Sequence, residues 1–207
     1  MTKKLFTPAP SNKWRRNAIA GGYHSAYIEG YYEAANTLLK YALGNGGQDL
    51  YFYPICFNYR HFLELMLKHL ILRTEHYHEI LVEIGEKNAQ MYQSVKEEIQ
   101  KEHSLQKLIQ WLTERLSLVD PEEPFDKDIV KTINQLHSVD PNGQIFRYPF
   151  TKDGSLTLPE QKHYDIEIIR RRMEEVYDYL GGTDAFLDYN IDLAYGLLTD
   201  LNSNFNY

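Results

Sequence analysis

The sequence predicts an all-α protein: an antiparallel helical bundle with one small β-hairpin at about residues 145–158. Three observations carry that prediction. Apolar residues recur at spacings of three and four through most of the 207 residues. Glycine- and proline-bearing breaks (GNGG, DPEEP, DPNG) divide these periodic stretches. The one segment with hairpin chemistry is IFRYPFTKDGSLTL, which turns around Lys152-Asp153-Gly154.

The first helix is expected from about Arg16 to Leu43, stopping where the glycines of GNGG favour a C-cap. Small residues at four-residue spacing (Ala18, Gly22, Ala26, Gly30, Ala34) form a row that lets a partner backbone approach. Tyr23, Tyr27 and Tyr31 run beside it and are read as core. A second helix is expected to follow Pro54, which suits a first turn, and to run to about Arg73. A third, more polar, covers Tyr77 to Lys101.

Ser104 caps a fourth helix with a stripe of Leu105, Leu108, Ile109, Leu112 and Leu116. Asp126 to His137 is a short helix after an acidic linker. Another long helix is expected to start at Leu158-Pro159-Glu160, with Ile166, Ile169, Met173, Val176 and Leu180 as its seam. Gly181-Gly182 should end it, and Thr183 should cap a last helix with Phe186, Leu193, Leu197 and Leu201 inward.

Residues 1–15 read as a basic arm and residues 16–207 as a single helical domain. Up to Arg16 there are five cations (Lys3, Lys4, Lys13, Arg15, Arg16) and no acid, whereas no Lys or Arg follows Arg172. Either the arm docks near the acidic C-terminal face, or it touches phosphates. The net charge of -7 argues against coating nucleic acid by bulk attraction. No 18-residue apolar run exists and no apolar core follows the basic N-terminus, so neither a membrane span nor a signal peptide is expected. Cys56 is the lone cysteine, sits in an apolar run and reads as a small buried hydrophobe; with no disulfide possible, a cytoplasmic protein is expected.

The most informative stretch is DLYFYPICFNYRHFLELMLKHLILR, Asp49 to Arg73, an apolar helix that carries Arg60, His61, Glu64, Lys68 and His69. Burying an unpaired charge costs several kcal/mol, so these groups need partners. Arg60, Glu64 and Lys68 share one face at four-residue spacing. They form either a salt-bridged strip or an anion pocket in which Arg60 and Lys68 reach a phosphate. His61 is either a base or a hydrogen-bonded core histidine. Arg147, held between aromatics in FRYP, either points into the same pocket or clamps Asp140. No metal site or cofactor is expected: His76 and His78 lack further ligands, and GNGG lacks the Lys and Ser or Thr of a phosphate loop.

The stretches YIEGYYEAANTLL, YPICFNYRHFLELMLK, HSLQKLIQWL and DPNGQIFRYP, in that order, resemble the HEPN-like superfamily, named for nucleotide binding in higher eukaryotes and prokaryotes. The chain looks closest to a bacterial branch found with mobile elements and defence loci. The resemblance implies an all-α bundle, frequently dimeric, in a superfamily whose active members are metal-independent ribonucleases. Those enzymes use an Arg, four to six intervening residues, then a His, the His as base on a ribose hydroxyl and the Arg offsetting phosphate charge. The pair with that spacing here is Arg73 and His78. His103 falls at a family position and is expected to contact the second helix. The reading reached is a HEPN-like binding or interaction module, a homodimer associated with RNA or a nucleotide. The alternatives are a metal-independent endoribonuclease using Arg60 or Arg73 with His61, His78 or His103, and a nucleotide sensor.

Overall fold

The structure, a computed structural model, describes residues 11–16, 18, 24–85 and 93–204. Its described regular structure is helical: α1 (His24–Asn45), α2 (Gln48–Ile84), α3 (Leu105–Val119), α4 (Lys127–Val139) and α5 (Ile166–Asn204), with short 3-10 turns at Ser11–Arg16 and Ile99–Lys101. The all-α bundle is therefore what the chain forms. Residues 1–10 of the basic arm lie outside the described residues, and so do Gly22 and Tyr23.

α2 is the hub, with α1, α3 and α5 packed on it, while α4 leans on α3 and α5. Its core face carries Ile55, Tyr59, Phe62, Leu63, Leu67, Leu70 and Ile71, all buried. α1 meets it through Ile28, Tyr32, Ala35, Leu39 and Ala42, spaced four, three, four, three. This corrects the expected packing face. Ala26 and Gly30 are exposed, and a Cβ at Gly30 would meet nothing within 4 Å. Tyr27 is 57% exposed, and the core tyrosine is Tyr32, stacked on Tyr177 of α5 at 3.9 Å.

Two expected helix breaks are absent. α2 runs through Pro54 and on past Arg73 to Ile84, ending at Gly85 in the left-handed conformation (φ 94°). Proline removes the donor to the carbonyl four residues back. That carbonyl belongs to Leu50, which is 71% exposed and within reach of water. The helix expected over Tyr77–Lys101 is thus split: its start belongs to α2, residues 86–92 lie outside the described set, and residues 93–101 are turns and one 3-10 turn.

α5 starts at Ile166, later than Leu158, because Asp165 Oδ1 accepts from the amides of Glu167 and Ile168 and caps it there. It then continues through Gly181-Gly182. Buried Leu180 and Leu187 hold both halves to the bundle, and the Thr183 hydroxyl donates to the Tyr179 carbonyl instead of capping a new helix. This continuity changes which residues face inward. Leu187 is buried in the main core and Ile191 and Ala194 against Ile80 of α2, whereas Phe186, Leu193, Leu197 and Leu201 are exposed.

The cap of α3 matches expectation, with Ser104 accepting from Lys107 N; α4 starts where the short helix was expected, and there Asp126 accepts from Asp128 N and Ile129 N. The hairpin expected at 145–158 amounts to one antiparallel bridge, Phe150 with Leu156, closed by Thr151 N donating to Ser155 O. No strand is formed among the described residues.

Candidate functional site

Arg60 projects from the middle of α2 into a largely buried polar knot. Its Nε donates to the Asp140 carbonyl (3.1 Å), Nη1 to Glu64 Oε2 (3.0 Å) and Nη2 to the His103 carbonyl (2.6 Å). The Asp140 carboxylate lies 3.5 Å from Nε and receives the amides of Gln144 and Ile145. One guanidinium thus ties α2 to the start of α3 and to the DPNG turn after α4. Both Arg60 and Asp140 are buried, so the attraction acts with little screening by solvent.

Glu64 is the second node. Its Oε1 receives Lys68 Nζ (3.0 Å) and lies 2.8 Å from His103 Nδ1. Burial by itself raises the Glu64 carboxyl, but hydrogen bonds from Lys68, His103 and Arg60 outweigh it and hold the group below the usual carboxylate range. The salt-bridged strip foreseen for Arg60, Glu64 and Lys68 is present, and His103 contacts α2 as foreseen. The His103 side chain is 60% exposed, so the knot reaches solvent through that ring.

The Arg73–His78 pair does not converge. Arg73 turns toward α5, where Nε lies 3.2 Å from Asp184 Oδ1 and Nη2 pairs with Asp188. Asp184 also meets His69 Nε2 at 3.1 Å. Asp184 and Asp188 therefore pair with α2. His78 points the other way and is buried at 2% exposure. Burial lowers its basicity, and Arg115 and Glu75 act on it electrostatically. Glu75, fully buried, receives Ser94 Oγ (2.9 Å) and Val95 N (2.7 Å), with Arg115 Nε 3.6 Å away.

Glu75 and Arg115 were not singled out from sequence, and Asp140 was named only as a partner for Arg147, whereas it pairs with Arg60. Arg115 continues the leucine stripe of α3, and Glu75 follows Ile71 by four residues on the buried face of α2, so their register was the available signal.

A different surface gathers His61 and Arg147. The His61 ring lies parallel to Phe57 (5.7 Å between centroids, 9°) and edge-on to Tyr31 (4.3 Å, 89°). The Arg147 guanidinium sits 5.7 Å from the Phe57 ring centre and 5.3 Å from that of Tyr148. Arg147 therefore neither enters the Arg60 knot nor clamps Asp140. It makes no ion pair with a described carboxylate, and its one polar contact is a long one to the Tyr148 hydroxyl (3.5 Å). Burial is the first cause that keeps His61 below the ordinary histidine range; the Glu64 charge opposes it, and the Arg60, Arg147 and Lys68 charges add to it. A flat neutral imidazole, two phenol rings, a phenyl ring and an unpaired cation thus share one face.

Among the described residues no group of three His, Cys, Asp or Glu could hold a metal ion, and no helix is long and apolar enough to cross a membrane. No family model, curated protein or solved structure matches the chain.

Proposed function

We propose that this chain is a HEPN-like binding module of a bacterial defence or mobile-element system. In this reading it holds single-stranded RNA or a nucleotide against the face formed by Phe57, His61, Arg147 and Tyr148. The observation that carries the proposal is the Arg147 cation, stacked on two aromatic rings, without a described carboxylate and level with a parallel His61–Phe57 pair. Base stacking on aromatic side chains contributes about 1–3 kcal/mol per base, and a cation alongside supplies the phosphate contact. The exposed row Phe186, Tyr189, Leu193 and Leu197 along one flank of α5 supports a homodimer.

Fluorescence anisotropy with a labelled oligoribonucleotide tests this reading. Arg147→Ala should weaken binding about tenfold and reduce the slope of log affinity against log salt by about one, with the fold intact. A strand that fails to bind, or binds Arg147→Ala equally well, removes the proposal.

One observation favours a ribonuclease as the second reading. The exposed His103 ring is oriented by the buried Glu64 carboxylate beside Arg60, an arrangement suited to a general base. RNA cleavage in chelator that His103→Ala abolishes would select it over the binding module.

A further inference from the structure

Between α2, α4, α5 and the segment that joins α4 to α5 lies a cleft of about 300 Å³. Its apolar lining includes Phe52, Cys56, Leu136, Phe146, Ile169 and Met173. The Phe52 and Tyr164 rings stack at 5.0 Å and close one side. Apolar clefts of about 300 Å³ and above are where proteins take up small ligands.

The chemistry of the wall narrows what fits. Arg172 is the one charged residue among those lining the cleft, and half of its side chain is exposed. Its Nη1 donates to Glu175 Oε2 at 2.8 Å, which leaves the rest of the guanidinium for another acceptor. Thr132 turns its hydroxyl to the Asp128 carbonyl, and the Tyr59 hydroxyl donates to Asn36, so neither demands a partner from a ligand. Burial raises the Cys56 thiol to about 12, so that wall is uncharged at neutral pH.

We infer that the cleft binds an amphipathic organic anion whose apolar body lies among Phe52, Cys56, Phe146 and Met173 and whose carboxylate meets Arg172. At ~30 Å³ for each water-sized group, the space holds an apolar body of about eight to ten such groups. A medium-chain carboxylate has that size and that charge. The cleft is lined by none of Phe57, His61, Arg147 and Tyr148, and its assignment stands whether or not that surface binds RNA.

Isothermal titration of the full chain with decanoate, decylamine and decanol tests the assignment. Decanoate should bind at least tenfold more tightly than decylamine, with decanol between them. Arg172→Gln, a substitution at a half-exposed side chain, should bring the three to within about threefold of each other. Val139→Trp, which fills the cleft from its edge, should reduce decanoate binding at least tenfold. Equal binding of decanoate and decylamine to the native chain overturns the inference, as does a failure of all three to bind. Decanoate affinity unchanged in a folded Val139→Trp protein, or a preference for the anion that persists in Arg172→Gln, overturns it too.

Discussion

Arg60 and Gly143 are in direct contact: a Cβ added at Gly143 would lie 3.0 Å from both Cζ and Nη1 of the guanidinium. Gly143 also has a φ of +70°, a conformation that costs an L residue energy. The DPNG turn is therefore shaped around the arginine of a helix eighty residues earlier. Gly143→Ala should destabilise the protein by about 1–3 kcal/mol. Urea denaturation measures this, and an unchanged midpoint would mean that the guanidinium does not lie there.

Removing the arginine tests the knot from its other side. Arg60→Met leaves the Asp140 and Glu64 carboxylates buried with fewer compensating donors. Breaking a buried pair by deleting one partner costs about 3–5 kcal/mol, against about 0–1 kcal/mol for a surface pair. Arg172→Met, which releases the exposed Glu175, supplies the surface comparison. Equal losses of stability in the two variants would contradict the burial of Arg60.

Acid should weaken the fold in two stages. His61, His78 and His137 all have depressed folded-state values, with burial as the first cause in each. Their unfolded value is about 6.5. Below that pH the unfolded chain takes up protons that the folded chain resists, so stability falls as pH drops through that region. Glu64 is also depressed, but as a carboxylate. Its contribution is present above its unfolded value and is lost as pH falls through the lower folded one, a second decline on the acid side of about pH 4.3. Thermal midpoints from pH 8 to 3 read both stages. His78→Asn should shrink the first and leave the second, and a flat profile between pH 7 and 5.5 would contradict the histidine assignment.

Periodicity made the helices legible, Ser104 marked the start of α3 and Asp126 that of α4, while the Asp165 cap of α5 lay hidden behind the stronger local signal of Leu158-Pro159-Glu160. What periodicity did not reveal were continuities. Pro54 and Gly181-Gly182 carry local signals for a helix start and a helix stop, yet half-buried Tyr51 and Phe52 ahead of the proline and buried Leu180 and Leu187 around the glycines pack both segments on the core. Misplacing that stop rotated the inward face of the last segment, exchanging Leu187, Ile191 and Ala194 for Phe186, Leu193 and Leu197. At the site, the four-residue spacing of Arg60, Glu64 and Lys68 identified a paired strip because all three lie on one helix. Asp140 and Gly143 arrive from far along the chain, and no local pattern announces a contact across that separation.

The adjacent pair Gly181-Gly182 in α5 offers the clearest separation of local propensity from tertiary demand. Neither has a positive φ, both are exposed, and a Cβ at either would meet nothing within 4 Å. Glycine in a helix interior costs about 0.5–1 kcal/mol relative to alanine, because the unfolded chain has more freedom to lose. Gly181→Ala and Gly182→Ala should each stabilise the protein by roughly that amount, and the double variant by nearly the sum. Thermal melting of the native chain and the three variants measures it. If instead Gly181-Gly182 is a true break between two helices, with either residue in a left-handed conformation, the substitutions would lower the midpoint. The sign of the change therefore decides whether α5 is one helix or two.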